Sequence, residues 1–378
     1  MNILLIGNYI HFHQQSQQHF AELMRDMLLK SGFSVRLLHP PSILGNLRPS
    51  ERGIGKWFGY IDQYVLFFHK LQRELDWADV VHICVTSHAI YVPWLNGKPH
   101  VVTCHDMLSI RSALGEIPES PTRWSGRIYQ QLILRGLERA QHVVCVSRQT
   151  QRELLQIAGL PPNRTSVVHN ALNFTYSPML REEAAPYLRS LDLVGEKSFF
   201  LHVGGNQWYK NRSGAVHIFS KIIENPLYKT HILVMIGKPW TIELRQLVQA
   251  LGLQTKVLEI VNVSNTELQA LYSQAEALIF PSLAEGFGWP IVEAQACGCP
   301  VVTSNRPPMT EVGGQAAAIY IDPENISAAT QAILEGLREK KRLIEAGIVN
   351  SKRYSGQAFL NGYISAYREA IALSTGSG

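Results

Sequence analysis

The stretch 277–303, ALIFPSLAEGFGWPIVEAQACGCPVVT, decides how this chain is read. A short apolar run, Ala277–Phe280, is broken by Pro281-Ser282. Glu285 and a glycine-spaced turn, Gly286-Phe287-Gly288, follow. Pro290 opens a predicted helix over Ile291–Cys297, Gly298 closes it, and the run Pro300–Thr303 predicts the next strand. Strand, loop, helix and strand in this order place the loop where a parallel sheet binds its ligands. Proline suits the first helical turn, where its missing N–H costs no hydrogen bond. The amides of Gly286, Phe287 and Gly288 are then expected to point at an anion or at sugar oxygens. Glu285 lies on the loop and Glu293 about one turn into the helix, with seven residues between them. Two acceptor-only carboxylates hold a polyol by accepting from its hydroxyls. The competing reading leaves Glu285 an ordinary loop acid and Glu293 a helix-dipole partner, worth about 0.3–1 kcal/mol.

The segment resembles the donor-sugar signature of retaining, metal-independent glycosyltransferases of the GT-B architecture. It is most similar to the bacterial group 1 family, which includes glycogen-synthase-like and phosphatidylinositol-mannosyltransferase-like enzymes. The resemblance implies that Glu285 and the amides of Gly286, Phe287 and Gly288 hold the donor sugar, and that Glu293 holds the nucleotide ribose.

Composition sets the frame. A chain of 378 residues suggests two domains, and 46% hydrophobic with 17% charged residues is enough to build sizeable cores. No apolar run approaches the roughly 18–20 residues of a membrane span. The opening MNILLIGNYI lacks the basic start of a signal peptide and reads as a buried strand. Five cysteines without a CxxC pair fit small buried hydrophobes and a cytoplasmic protein. A net charge of +5 is too weak to argue for nucleic acid, though it is compatible with an anionic nucleotide or a membrane surface.

The first half opens with a βαβ unit: strand Asn2–Gly7, helix Gln14–Lys30, strand Ser34–Leu38. GxGxxG is absent after the first strand, and GxxxxGK[ST] is absent throughout, so dinucleotide and P-loop binding are poorly supported. Asn8 and His11 lie on the first loop and are candidates on the acceptor side. His11 and His13 have no matching ligand set downstream, so a metal site is not expected. The basic and aromatic segment 47–74 admits two readings. Arg48, Arg52, Lys56 and its aromatic residues would suit an anionic membrane, whereas Tyr60, Tyr64, Phe67, Phe68 and Leu71 at helical spacing would form one buried face. His105 follows a predicted strand, His100–Cys104, at the ligand-binding end of a sheet. The family's first domain commonly carries a Thr-x-His-Asp sequence here, which implies that His105 faces the donor sugar. Trp124–Arg139 reads as an amphipathic basic helix with a solvated face. A linker is expected over 173–197, where Pro178 and Pro186 fall and no convincing strand occurs.

The second half begins with strand Phe199–Val203, running into Gly204-Gly205-Asn206-Gln207-Trp208-Tyr209-Lys210-Asn211-Arg212 and a helix from about Ser213. Glycines between a strand and a helix start suit a phosphate. Lys210 as a point charge and Arg212 as a fork suit a pyrophosphate, with Gly205 and Asn206 lining the same loop. In the family a Gly-Arg pair precedes the lysine; here its arginine position is Gly205, so Arg212 is hypothesised to supply the second positive charge. The resemblance further implies that the nucleobase sits by two strand ends, at Gly237 and Val263. Ser355–Leu373 predicts a last helix, which in GT-B proteins crosses back to the first domain.

The expectation is thus an α/β GT-B chain. Residues 1–172 with 355–378 form an acceptor-side Rossmann-like domain, and 198–354 form a nucleotide-sugar domain facing it across a cleft. The expected reaction moves a sugar, with retention, from a UDP- or GDP-sugar to a glycan or lipid-linked acceptor, with Lys210, Glu285 and His105 as catalytic residues. Neither a cofactor nor a metal is expected, and no Asp-x-Asp occurs. The rival readings are a nucleotide-sugar epimerase on the same scaffold and a nucleotide-binding protein without catalysis. The expected location is cytoplasmic, with peripheral contact at the inner face of the plasma membrane as an option.

Overall fold

The computed structural model describes residues 1–9, 15–44, 46, 58–59, 61–193 and 198–375. The chain divides into two compact units. Met1–Asn173 with Gly356–Gly378 form the first, and Phe174–Ser355 the second.

In the first unit the order is β1 (Asn2–Ile6), α1 (Gln15–Lys30), β2 (Ser34–Leu38), α2 (Phe67–Leu75), β3 (Val80–Ile83), β4 (His100–Cys104), α3 (Leu108–Leu114), α4 (Trp124–Arg139), β5 (His142–Cys145), α5 (Arg148–Ala158) and β6 (Thr165–Val167). All pairings are parallel, in the order β2-β1-β3-β4-β5-β6. β3, β4 and β5 are buried along their whole length, as strands covered on both faces must be. Ser147 caps α5 by accepting from the Thr150 amide.

The second unit runs α6 (Arg181–Ser190), β7 (Phe199–Val203), α7 (Arg212–Ile222), β8 (Ile232–Ile236), α8 (Ile242–Ala250), β9 (Val257–Ile260), α9 (Asn265–Gln274), β10 (Leu278–Phe280), α10 (Trp289–Ala296), β11 (Val301–Ser304), α11 (Met309–Gly313), β12 (Ile319–Ile321), α12 (Ile326–Gly336) and α13 (Lys340–Ser351). Its sheet is also parallel, in the order β12-β11-β10-β7-β8-β9. The chain moves outward from β7 to β9, then returns to lay β10 on the other side of β7, with Leu278 opposite Leu201. The β7/β10 junction is therefore the point where strand order reverses, and the loops leaving these two strands diverge around a crevice.

One expectation needs correcting. The stretch 173–197 is not simply a linker, because α6 lies within it and packs on α9. Glu182 and Glu183 occupy its first turn, Glu183 accepts from the Leu180 amide at 2.8 Å, and Pro186 sits inside the helix. Contacts with α9 outweigh the hydrogen bond that proline removes.

The last helix, α14 (Gly356–Thr375), belongs to the first unit. Tyr367 Oη lies 2.8 Å from His82 Nδ1, His82 Nε2 lies 2.8 Å from Thr103 Oγ1, and that hydroxyl is 3.0 Å from Tyr363 Oη. The Tyr363 ring also stacks on His82, with centroids 5.1 Å apart. Burial pushes the His82 imidazole down to about 3, so it is a neutral ring that donates through one nitrogen and accepts through the other. Every polar atom of this set has a partner, which makes an otherwise apolar helix–sheet contact specific in register.

Candidate functional site

The site in the second unit is built from the loops leaving β7 and β10. The loop after β7 ends at Asn211, held in the left-handed region (φ 49°). Its Oδ1 accepts from the Gly214 amide at 3.1 Å and caps α7, while its Nδ2 donates to Pro281 O at 3.1 Å on the other loop. The Leu283 amide donates to Tyr209 O at 2.7 Å. The two loops are thus stitched together by main-chain acceptors that leave the Lys210 and Glu285 side chains available.

Lys210 Nζ meets Glu285 Oε1 at 2.7 Å, and only 17% and 8% of these side chains are exposed. The ammonium also lies 5.3 Å from the centre of the Phe280 ring and 5.6 Å from that of Tyr209. Both charges are largely withdrawn from water, so removing either one would strand the other at a cost larger than that of breaking a surface pair. Gly286 follows on the loop, Phe287 turns inward against Tyr354, and Gly288 adopts φ 98° at the start of α10. Glu293 lies one turn further on, 5% exposed, and accepts from Tyr272 Oη at 2.9 Å. Burial pushes its carboxyl up to about 7, against the pull of the Tyr272 hydroxyl and the Lys210 charge.

Arg212, at the first position of α7, does not face solvent: it is 6% exposed. Its Nη1 donates to Lys238 O at 2.9 Å and to Asn206 Oδ1, joining the β7 loop to the β8 loop. Asn206 in turn donates to Pro239 O at 2.8 Å. Arg212 Nε and Nη2 and Trp240 Nε1 are buried donors with no acceptor among the described residues. The β7 and β8 ends approach so closely that a Cβ on Gly237 would lie 2.1 Å from Gly204 O, and φ there is 147°. Gly205 borders the same loop, and Val263 follows Asn262, which is itself left-handed at φ 57°.

Glycines at strand ends, a helix start, the Lys210–Glu285 ion pair, the buried Arg212 and the buried Glu293 all belong to the second unit. Two family models fall on this framework: the group 1 glycosyl transferases over residues 186–349, and glycosyltransferase family 4 over 18–176. The chain belongs to the group 1 glycosyltransferases. It is 26% identical over 315 residues to the O-antigen chain mannosyltransferase RfbU of Salmonella typhimurium, covering 83% of this chain and 79% of that one. Its fold is similar to that of sucrose-phosphate synthase from Thermosynechococcus elongatus, with a TM-score of 0.75, 18% identity and 99% and 100% of the two chains covered. It is similar also to Anabaena Alr3699/HepE in complex with UDP and glucose, with a TM-score of 0.71, 16% identity and 97% and 98% covered. Both likenesses identify the two Rossmann-like units as a GT-B fold.

In the first unit of this group 1 glycosyltransferase, Asn8 and His105 stand at the carboxyl ends of β1 and β4. Asn8 is 1% exposed; its Oδ1 accepts from the Tyr9 amide at 2.9 Å, and its Nδ2 is buried with no acceptor among the described residues. His105 Nε2 donates to Cys84 O at 2.9 Å, which makes Nδ1 the acceptor nitrogen. Burial holds the ring down to about 4, hence neutral near pH 7, and Phe20 packs edge-on at 4.9 Å. His11 lies outside the described residues, as do Arg48, Arg52, Lys56 and Tyr60 of the basic–aromatic segment.

Four residues of the second-unit site escape a reading by motif: Asn211, Trp240, Tyr272 and His202. The last donates from Nδ1 to Ile279 O at 2.9 Å, and its Nε2 is buried, 3.2 Å from where a Gly204 Cβ would stand. Burial, then Arg212 and Lys210, hold it neutral with a value of about 4. Only Asn211 left a local signal, an N-cap residue type three positions before Gly214.

Glu293 gives the site a pH signature. Its folded value of about 7 lies above the ordinary carboxyl value, so the fold prefers the protonated form. That contribution is complete below the ordinary value and is lost as pH rises toward about 7. Thermal melts of the protein and of Glu293→Gln, without added nucleotide, should diverge from about pH 5 to about pH 8, the variant gaining at most about 3 kcal/mol. Parallel curves would show that Glu293 ionises as an ordinary glutamate.

Proposed function

We propose that the chain transfers a sugar from a UDP- or GDP-sugar to a glycan or lipid-linked acceptor in surface-polysaccharide assembly, retaining the anomeric configuration and needing no metal. One observation carries the reading: the Lys210–Glu285 pair at the β7/β10 junction, with 2.7 Å between Nζ and Oε1. In this reading the cation that meets the diphosphate stands directly beside the acceptor for the sugar hydroxyls. An ammonium has three donors, so Lys210 can hold Glu285 and a phosphate oxygen together. As the bond from the sugar to the diphosphate breaks, negative charge grows on the leaving oxygen, and a preorganised ammonium lowers that barrier most. Arg212 adds its buried guanidinium at the same helix start. Glu285 and the amides of Gly286, Phe287 and Gly288 orient the sugar, and Glu293 accepts from the ribose. Gly205, Asn206, Gly237 and Val263 line the nucleotide by main chain and amide. Asn8 and His105 are assigned to sugar or acceptor hydroxyls, His105 through its acceptor Nδ1.

The polysaccharide acceptor rests on the likeness to an O-antigen chain mannosyltransferase. Among the described residues no helix is long and apolar enough to cross a membrane.

Thermal shifts with UDP- and GDP-sugars identify the donor, and NMR of the anomeric proton in the product then reads the stereochemistry. A nucleotide sugar should stabilise the fold, and transfer should keep the donor's configuration with chelator present. An inverted product removes retention. Loss of activity on chelation, restored by a divalent ion, removes metal independence. Conversion of the donor's sugar without any acceptor favours the epimerase reading.

A further inference from the structure

Strand β7 is joined unequally to its two neighbours. Its pairing with β8 runs the whole length of the strand, from Phe199–Ile232 to Val203–Ile236. Among the described residues, its pairing with β10 is confined to Leu201–Leu278. Main-chain hydrogen bonds hold the amino-terminal half of this seam: the Leu201 amide donates to Ala277 O at 3.0 Å, and the Glu276 amide to Phe199 O at 2.7 Å. Toward the crevice the seam changes character. Ile279 O accepts from His202 Nδ1 at 2.9 Å, a side chain where a ladder would use main chain. Two residues further on stands Pro281, which has no N–H to offer a ladder. His202 is fully buried, and its Nε2 has no partner among the described residues. A Cβ on Gly204 would stand 3.2 Å from that nitrogen and 3.5 Å from both Cβ and Cδ of Lys210. The imidazole and the lysine stem therefore abut the same glycine. Burial, with Arg212 and Lys210 next, keeps the ring neutral, so its one N–H is the one given to Ile279 O.

We propose that His202 is a positioning residue for the transfer reaction: its Nδ1–H clamps the carboxyl ends of β7 and β10 at the spacing that brings Lys210 to Glu285. The proposal rests on the reading of Lys210 as the cation that meets the leaving diphosphate. A crevice at a strand-order reversal needs the two strand ends apart, because a continued ladder would close the space a ligand takes. It also needs them fixed, because a misplacement of about 1 Å can cost on the order of 10²-fold in rate. A side-chain donor reconciles the two demands. It reaches across where the main-chain pairing has stopped, and a buried, hydrogen-bonded ring has little freedom to turn. Histidine does so without adding charge, whereas a cation at this position would repel Lys210 and Arg212. His202 touches neither sugar nor diphosphate in this account; it acts through Lys210 and Glu285.

The test is a cycle of variants, read in turnover with the preferred nucleotide sugar and in thermal melting without nucleotide. Leucine and asparagine branch alike at Cγ, and of the two only asparagine carries an N–H where Nδ1 stands. His202→Leu should lower kcat by about 10–100-fold, and His202→Asn by less than about fivefold. In a Lys210→Ala background, His202→Leu should lower kcat by less than about threefold further, since a residue acting through Lys210 then has nothing left to position. Normal turnover in His202→Leu, a full additional loss in the Lys210→Ala background, or an asparagine variant no better than the leucine one overturns the proposal. In melting, His202→Leu should lower the midpoint by roughly 2–8 °C in the unaltered chain. The drop should be smaller once Lys210→Ala and Glu285→Gln have removed the ion pair. An equal drop in both backgrounds overturns the clamp even where no transfer is measured. A chain that transfers no sugar removes the transferase reading instead, and the melts still decide whether His202 sets the pair.

Discussion

Lys210→Ala should lower turnover by about 10²–10³-fold, the usual loss when one preorganised donor to a developing anion is removed. The ammonium is the site's most directly placed charge, anchored to Glu285 at 2.7 Å and 17% exposed. Its removal also strands the Glu285 carboxylate, which is 8% exposed, at a stability cost of about 1–3 kcal/mol. The two effects separate in a cycle with Glu285→Gln. The double variant should recover much of the lost melting temperature but none of the turnover, because the neutral amide needs no cation whereas the leaving diphosphate still does. A Lys210→Ala enzyme with near-normal kcat would remove Lys210 from the chemistry and leave the pair a structural bridge.

Arg212→Ala should weaken donor binding by about 10–100-fold and lower stability by about 2–3 kcal/mol. The stability loss follows from geometry: Nη1 joins two loops through Asn206 and Lys238 O, and both would lose a charged donor. The binding loss follows from Nε and Nη2, buried donors for which the described residues supply no acceptor. Their burial also pulls the guanidinium below its ordinary value, a desolvation cost that an anionic ligand would offset. Arg212→Lys discriminates between the roles, since a point charge restores part of the attraction to a diphosphate but not a fork bridging two loops. Calorimetric titration with the preferred nucleotide sugar reads the first quantity and thermal melting the second. Unchanged donor affinity in Arg212→Ala would make the residue a strut alone.

Much of this was legible in the chain because ligand-binding loops in parallel sheets are local. Pro281, Gly286, Gly288 and Pro290 punctuate β10, its loop and α10 within a dozen or so positions, and Gly204 to Lys210 do the same after β7. The pairing of Lys210 with Glu285 is a different matter. It depends on β10 returning to the flank of β7, a choice of strand order that no window of sequence encodes. The Tyr272–Glu293 hydrogen bond and the burial of Arg212 are equally long-range consequences. Helix α6 was hidden for the opposite reason. Pro178 and Pro186 are strong local breakers, and packing against α9 overrides the second.

The buried His82–Thr103–Tyr363–Tyr367 set has a bearing on how the molecule is made. A ribosome delivers the first unit's strands early, yet α14 emerges only after all of 174–355. Until then His82 and Thr103 lack the two phenols that satisfy them, and the sheet surface awaiting α14 stays uncovered. The nascent amino-terminal half is therefore an unfinished object, vulnerable to clumping for as long as synthesis of the second unit lasts. The closing helix joins the segments on either side of the second unit into one body.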